Sequence, residues 1–156
     1  MPPIVISSAA EWDQEALVRI MTDVFLADQA QYIPEVLDPR FVESISRDLV
    51  RRAWPNMALA RADLVPVAMM YVAGNKIDAL NVIAGWKRRG IGRAMMEWTE
   101  DRLIAAGYAS ATLDTQEANA PARSFYDSLG YRVTAHWPMT QFTATPIPMV
   151  TMTKQL

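Results

Sequence analysis

A short basic turn that joins a strand-like run to a helix-like run most constrains the fold of this chain. Residues 77–83 are largely apolar and typical of a strand, whereas residues 91–106 carry apolar side chains at helical spacing. The turn between them and the first residues of the helix contain Gly90 and Gly92 and four basic residues, Lys87, Arg88, Arg89 and Arg93. The first N–H groups of a helix have no partner inside it, and glycine lets an anion approach the backbone closely. The turn therefore predicts a phosphate-binding site, with a solvated basic turn as the alternative.

The residues of this turn exclude two widespread phosphate-binding motifs. A P-loop requires the spacing GxxxxGK[ST], which is absent here. The dinucleotide fingerprint GxGxxG requires a third glycine where the chain has Met95, and the preceding strands resemble a hairpin rather than the start of a βαβ unit. If the turn binds a phosphate, it therefore does so without either of these two motifs.

Composition excludes several other kinds of site. The chain has no cysteine, which rules out disulfides and thiolate chemistry, and its one histidine, His136, rules out a multi-histidine metal centre. We therefore expect no metal. The net charge of −2 argues against a nucleic-acid partner. No apolar run reaches about 18 residues, so we expect no membrane partner, and the lack of a signal-peptide pattern favours the cytoplasm.

The order of the predicted elements indicates the fold class. Strand-like runs at 57–61, 65–73 and 77–83 follow one another across short turns, and a Gly-Asn pair suits the second turn. The other predicted elements are a strand at 2–6, a helix containing Leu17, Ile20, Met21 and Val24, helices at 39–53, 91–106 and 121–129, and strands at 109–114, 131–134 and 149–153. Hairpins mixed with helical crossovers indicate one α/β domain of the α+β type over residues 1–156, with helices on both faces of a mixed sheet.

Two segments, taken together, resemble the GCN5-related N-acetyltransferase family. Residues 82–92, VIAGWKRRGIG, resemble the family's strand-to-turn pattern Q/R-x-x-G-x-G/A, with Lys87 where the family has Gln or Arg. Residues 119–131, NAPARSFYDSLGY, are similar to its signature N-x-x-A-x-x-F-Y-x-x-x-G-F/Y, and residues 152–156 look like its last strand. Two motifs in the family's order are far more specific than either one alone. The resemblance covers roughly residues 4–156.

This resemblance implies a fold and a cofactor. The implied fold is a twisted, mostly antiparallel sheet of about six or seven strands flanked by about four helices, in which strands four and five splay apart. The implied acyl donor is acetyl-CoA, whose pantetheine arm lies in the gap and bonds to the backbone of strand four. The residues implied to contact the cofactor are Val82, Ile83, Ala84, Lys87, Arg88, Arg89, Gly90, Ile91, Gly92, Arg93, Asn119 and Tyr126. Asn119 could equally be a helix N-cap.

The resemblance also makes Tyr126 the general acid for the leaving thiolate. On periodicity alone, Tyr126 would fill the core beside Ala122, Phe125 and Leu129. Complete proton transfer from a phenol of pKa about 10 to a thiolate of pKa about 8.5 is uphill by about 2 kcal/mol in water. We therefore expect Tyr126 to hydrogen-bond the developing charge on sulfur and to pass its proton as that bond breaks.

A base is needed because the acceptor amine must lose a proton. For a lysine-like amine of pKa about 10.4, deprotonation at pH 7 costs about 4.6 kcal/mol. Asp114, at the end of the strand 109–114, occupies the place of a base glutamate in one branch of the family. Asp78 is the second candidate, and alternation along the strand predicts that it faces the same side as Leu80 and Val82. A solvated or capping carboxylate is the alternative for both, and a water chain could replace them.

The resemblance assigns the acceptor site to the segments 26–41 and 135–148. Apolar candidates for its wall, which could equally fill the core, are Tyr32, Phe41, Trp54, Trp137 and Phe142. Acidic candidates that would favour a cationic acceptor are Asp28, Glu35, Asp38 and Glu43. The predicted acceptor is a small-molecule amine or a peptide N-terminus, and a homodimer is left open. The alternatives are a non-catalytic acyl-CoA-binding module and a toxin-type acetyltransferase that acts on aminoacyl-tRNA.

Overall fold

The computed structural model describes residues 1–141 and 143–156, which form a seven-stranded sheet with four α-helices. The strands are β1 (Ile4–Ser8), β2 (Met57–Ala62), β3 (Val65–Ala73), β4 (Lys76–Val82), β5 (Ser110–Gln116), β6 (Arg132–Met139) and β7 (Ile147–Gln155). The helices are α1 (Gln14–Val24), α2 (Pro39–Ala53), α3 (Ile91–Ala105) and α4 (Ala120–Ser128). The strand order is β1-β2-β3-β4-β5-β7-β6, and β4 and β5 pair in parallel whereas the other neighbouring strands pair antiparallel. The predicted mixed, mostly antiparallel sheet is confirmed.

Strands β2, β3 and β4 form a meander because two short turns suit the twist of the strands. Asp63 and Leu64, between β2 and β3, have positive φ angles of 46° and 68°, and Gly74, between β3 and β4, has a φ of 61°. Two-residue hairpin turns that match the strand twist require such angles. The meander leaves one edge of β4 free to meet β5, which the chain reaches through α3.

Both faces of the sheet are covered, as predicted. On one face α3 buries Ile91, Met95 and Met96 against the sheet, and α4 adds partly buried aromatic rings. On the other face α1 buries Leu17 and Ile20 in a second cluster that also includes residues of α2. Each helix thus covers the sheet with the apolar stripe that its spacing predicts.

One segment differs from the sequence-based expectation. The predicted loop carrying His136, Trp137 and Pro138 is part of β6, which pairs with β7 as far as Met139. Pro138 is tolerated because β6 is an edge strand, where one side of the backbone needs no partner. Between α1 and α2 the chain forms a π-helical turn, Phe25–Gln29, a 3-10 turn and then a stretch without regular structure before Pro39.

Candidate active site

The sheet opens between β4 and β5. These parallel strands pair at only two positions, Lys76 with Thr112 and Ile77 with Leu113, although β4 continues to Val82 and β5 to Gln116. Beyond the two pairs the backbone of β4 that faces β5 has no strand partner in the described residues. The predicted splaying of strands four and five is therefore confirmed. An extended chain could add to the free edge of β4 as a further strand would.

The N–H groups along β4 point alternately towards β3 and towards the gap. The N–H of Ile83 donates to the carbonyl of Val67 at 3.0 Å, so this group is used by the β3 side. Successive residues of a strand point their N–H groups to opposite edges, which directs the N–H of Val82 towards the gap. Of the backbone contacts expected from residues 82–84, that of Val82 has the required direction.

A cleft of about 300 Å³ borders the end of β4. Ile83 and Ala84 line it together with Pro66, the C-terminal half of α1 and the π-helical turn. The end of the strand is therefore open to solvent on the α1 side.

The narrow end of the gap is held by polar contacts around Asp114. The Nζ of Lys76 lies 2.6 Å from one carboxylate oxygen of Asp114 and 3.4 Å from an oxygen of Asp78. The hydroxyl of Thr151 donates to the other oxygen of Asp114 at 2.6 Å, and the indole N–H of Trp137 donates to Thr151 at 3.0 Å. The hydrogen bond to Asp114 raises the pKa of Lys76 above its usual value. Both oxygens of Asp114 are thus already engaged.

A β-bulge overturns the predicted direction of Asp78. Val72 pairs with Ile77 and Tyr71 pairs with Ala79, so Asp78 is an extra residue in β4 and the alternation shifts at this point. Leu80 and Val82 pack in the cluster with α3, whereas Asp78 lies beside Lys76.

The alternation of side chains along β5 shows on which face of the sheet Lys76, Asp78 and Asp114 lie. Ala111 and Leu113 are buried in the α3 cluster, so Asp114 points to the opposite face, the one covered by α1 and α2. The structure therefore brings Asp78 and Asp114 together through Lys76, a residue that sequence patterns did not single out.

The glycine turn is left open for a ligand. Gly85, Arg88 and Gly90 have positive φ angles of 85°, 59° and 81°, and Gly90 is the N-cap of α3 without a side-chain cap. No heavy atom beyond its chain neighbours lies within 4 Å of where a Cβ of Gly90 would stand. The space beside Gly90 at the start of α3 is therefore open, and the unpaired N–H groups of a helix N-terminus suit the diphosphate of a nucleotide-like ligand.

Gly92 has a second role in packing. A Cβ at Gly92 would lie 3.2 Å from Cζ of Phe125. This glycine thus permits α4 to approach the first turn of α3, which is a structural reason for its presence beside its predicted contact with the anion.

The basic side chains of the turn have different partners. Lys87 forms an ion pair with Asp28 of the π-helical turn, on the α1 side of the sheet. The guanidinium of Arg89 lies 4.8 Å from the ring centre of Trp86, and Arg88 and Arg93 are exposed. The three arginines thus supply the positive charge next to the helix N-terminus, while Lys87 links the turn to the α1 side.

The second motif contributes a helix cap and a half-buried tyrosine. The Oδ1 of Asn119 accepts the N–H of Ala122 at 3.2 Å, so Asn119 is the N-cap of α4. The ring of Tyr126 packs edge-on against Phe125 and Tyr131, with centroid distances of 5.1 Å and 6.1 Å. Burial raises the pKa of Tyr126 to about 12. Among the hydrogen bonds of the described residues, none involves the Tyr126 hydroxyl, which is therefore free to donate to a ligand.

Two segments predicted to flank the acceptor site contact one another. A carboxylate oxygen of Glu35 accepts the N–H groups of Ala144 and Thr145 at 2.6 Å and 3.2 Å. Of the predicted apolar wall residues, Trp137 reaches Asp114 through Thr151, whereas Trp54 is partly buried against the apolar cluster beneath α1 and α2.

The remaining candidates for the acceptor wall are distributed as follows. Tyr32 is half-buried after the π-helical turn, and Phe41 is exposed on α2. Phe142 lies outside the described residues. Two of the acidic candidates, Asp38 and Glu43, already serve α2 as its cap and as a partner of Arg47.

Two kinds of site receive no support from the described residues. Within residues 1–141 and 143–156, no cluster of three or more His, Asp or Glu side chains has a metal-binding arrangement. In the same part of the chain, no helix combines the length and apolar character needed to cross a membrane.

Comparisons with known proteins agree with this geometry. A comparison with curated protein sequences gives no match. A GCN5-related N-acetyltransferase from Rhodopseudomonas palustris superimposes with a TM-score of 0.79 at 18% identity, over 100% of this chain and 98% of that one. The PaiA N-acetyltransferase of Thermoplasma acidophilum, solved with coenzyme A, gives 0.73 at 18% identity, over 99% of both chains.

A third structure, YncA of Salmonella typhimurium solved with its cofactor acetyl-CoA, gives a TM-score of 0.71 at 17% identity, over 99% of this chain and 94% of that one. These likenesses show the fold. The sequence model described as the acetyltransferase (GNAT) family matches residues 21–131, which is most of the chain. With the splayed strands and the open glycine turn between them, this match shows that the chain belongs to the GNAT acetyltransferase family.

Proposed function

We propose that the protein transfers the acetyl group of acetyl-CoA to a primary amine. The observation that carries the proposal is the gap between β4 and β5, which opens beside the uncovered N-terminus of α3. The free edge of β4 suits an amide-containing arm, and the helix N-terminus suits a diphosphate. Both features suit coenzyme A, which has both groups in one molecule.

The proposed cofactor contacts divide into free and engaged groups. The amides that begin at Gly90, together with Arg88, Arg89 and Arg93, are free to hold the diphosphate. The N–H of Val82 faces the gap, where the amide-containing arm would lie. Lys87 and Asn119 have partners within the chain, so each would contribute only by exchanging that partner for the ligand.

Acetyl-CoA supplies a thioester, and the chain's own residues must manage two protons. For the proton that leaves the amine, we propose Asp78, directly or through water. One oxygen of Asp78 lies 3.4 Å from Lys76, and the other accepts no hydrogen bond in the described residues. Asp114 has both oxygens engaged, so we assign it to holding Lys76 at the narrow end of the gap.

For the leaving thiolate, we propose the hydroxyl of Tyr126 as the donor. Since burial raises the pKa of Tyr126 to about 12, complete transfer to a thiolate with the ordinary pKa of about 8.5 is uphill by about 5 kcal/mol. A hydrogen bond that strengthens as charge develops on sulfur is therefore the main contribution of Tyr126, and the proton follows as the carbon–sulfur bond breaks.

The acceptor class follows from the energy of deprotonation. An N-terminal α-amine of pKa about 8 needs about 1.4 kcal/mol at pH 7, against about 4.6 kcal/mol for a lysine-like amine. A carboxylate is a weak base compared with an amine, so an amine of low pKa is the easier substrate. Small amines and peptide N-termini are both included in this class.

The test is release of free thiol from acetyl-CoA over a panel of amines that contains peptide N-termini, lysine side chains and small-molecule amines. We expect turnover that depends on one amine class, with the acetylated amine identified by mass. Binding of acetyl-CoA without thiol release across the whole panel would instead identify a non-catalytic acyl-CoA-binding protein.

A further inference from the structure

A buried polar cluster lies behind Tyr126. Tyr131, which is fully buried, donates its hydroxyl to one oxygen of Glu100 in α3 at 2.9 Å. The other oxygen of Glu100 accepts the Nζ of Lys154 in β7 at 2.8 Å. Glu100 is itself nearly buried. The cluster joins α3, the end of α4 and β7.

Tyr126 is attached to this cluster at two points. Its carbonyl accepts the N–H of Tyr131 at 3.1 Å, and the two rings pack edge to face with centroids 6.1 Å apart. On its other side the ring of Tyr126 meets Phe125, which packs over Gly92 in the first turn of α3. Both neighbours of the Tyr126 ring are therefore anchored to the helix that begins at the anion turn.

The ion pair in this cluster needs an explanation other than stability. Taking two charges out of water is costly, and apolar side chains of the same shape often serve a core as well or better. A nearly buried charge pair that also accepts a hydrogen bond does, however, fix the orientation of the side chain that donates the bond. That side chain cannot turn away without leaving a buried polar group unpaired. Here the direction that is fixed is that of the Tyr131 ring.

We propose that Tyr131, Glu100 and Lys154 are positioning residues for Tyr126. Glu100 and Lys154 hold the Tyr131 hydroxyl, the Tyr131 ring fixes the edge of the Tyr126 ring, and the Tyr126 hydroxyl is thereby held at a set distance from the anion turn of α3. The inference rests on the proposed function, because Tyr126 must act on the leaving thiolate for its position to matter.

The test compares Tyr131→Phe, which removes only the hydroxyl, in the native and in the Tyr126→Phe background. In the native background we expect kcat to fall about 10-fold, with KM for acetyl-CoA changed less than about twofold. In the Tyr126→Phe background we expect no further fall, because residues that act as a unit are not additive. Glu100→Gln, which keeps an acceptor for the Tyr131 hydroxyl, should retain more activity than Glu100→Leu.

The chain offers a matched control in a second ion pair. Arg61 and Asp13 are paired at 2.5 Å with side chains 20% and 9% exposed, close to the 28% and 11% of Lys154 and Glu100. Asp13→Asn should lower the melting temperature as Glu100→Gln does, but leave kcat unchanged. An equal loss of kcat in both variants would mean that Glu100 acts only through stability, and would overturn the inference.

Two outcomes separate the inference from the proposal beneath it. If Tyr126→Phe keeps the native kcat, the proposed role of Tyr126 is wrong and the inference is wrong with it. Only the inference fails if Tyr126→Phe lowers kcat but Tyr131→Phe does not change it. The same holds if Tyr131→Phe lowers kcat by the same factor in the native and in the Tyr126→Phe background.

Discussion

The open glycine turn makes a prediction that separates ligand binding from stability. Gly90 at the start of α3 and Gly107 after its end both have left-handed φ angles, 81° and 91°, and neither has a heavy atom beyond its chain neighbours within 4 Å of where a Cβ would stand. Alanine at either position should therefore fold with the same strain. Only the methyl group at position 90 would lie beside the N–H groups proposed to hold the diphosphate.

The expected sizes follow from general energetics. A left-handed non-glycine residue costs about 1 kcal/mol, which lowers the melting temperature of a domain this long by about 2–4 °C. Acetyl-CoA at about 100 times its Kd stabilises the native protein by about 2.7 kcal/mol, or about 5–10 °C. A 10-fold weaker Kd at the same concentration would leave about 1.4 kcal/mol, or about 3–6 °C.

The assay is thermal unfolding with and without acetyl-CoA for the native protein, Gly90→Ala and Gly107→Ala. We expect both variants to melt lower without ligand, and only Gly90→Ala to lose part of the ligand-induced shift. Equal shifts in both variants would refute the assignment of the diphosphate to this turn. No shift of the native protein at millimolar acetyl-CoA would refute the cofactor itself.

Three further predictions concern the gap. Tyr126→Phe should lower kcat by about 100-fold or more while Kd for acetyl-CoA, measured by calorimetry, changes less than about twofold; native turnover would leave Tyr126 as a core residue. Since burial raises the pKa of Tyr126 to about 12, a profile of kcat against pH should show no fall between about pH 8 and 10, and a fall there would indicate another acid. The hydrogen bond to Asp114 raises the pKa of Lys76 in the folded protein. The interaction between Lys76 and Asp114 therefore contributes fully to the free energy of unfolding below about pH 10.4, the pKa of an unperturbed lysine, and this contribution is lost as the pH rises through the raised pKa of the folded state. Denaturant unfolding at about pH 9 and 11 should therefore show a smaller loss for Lys76→Met than for the native protein.

Turns and helix starts that depend only on residues adjacent in the sequence could be predicted from the sequence. The anion turn ends at Gly90 because a left-handed residue is needed there, and glycine adopts that conformation at little cost. The start of α2 at Pro39 follows from Asp38 as cap and Pro39 in the first turn. Asn119 and the aromatic pair after it likewise mark α4 and its buried side.

The sequence by itself thus determined most of the elements, their order and the helix N-terminus that can bind an anion, because backbone conformation and apolar spacing are local properties. Only the tertiary structure decided the chemistry at the narrow end of the gap. The parallel contact between β4 and β5 joins residues 36 positions apart, and one extra residue in β4 turns Asp78 to the other face, beside Lys76 and Asp114. Which carboxylate is free and which is engaged depends on those distant pairings, and no local pattern encodes them.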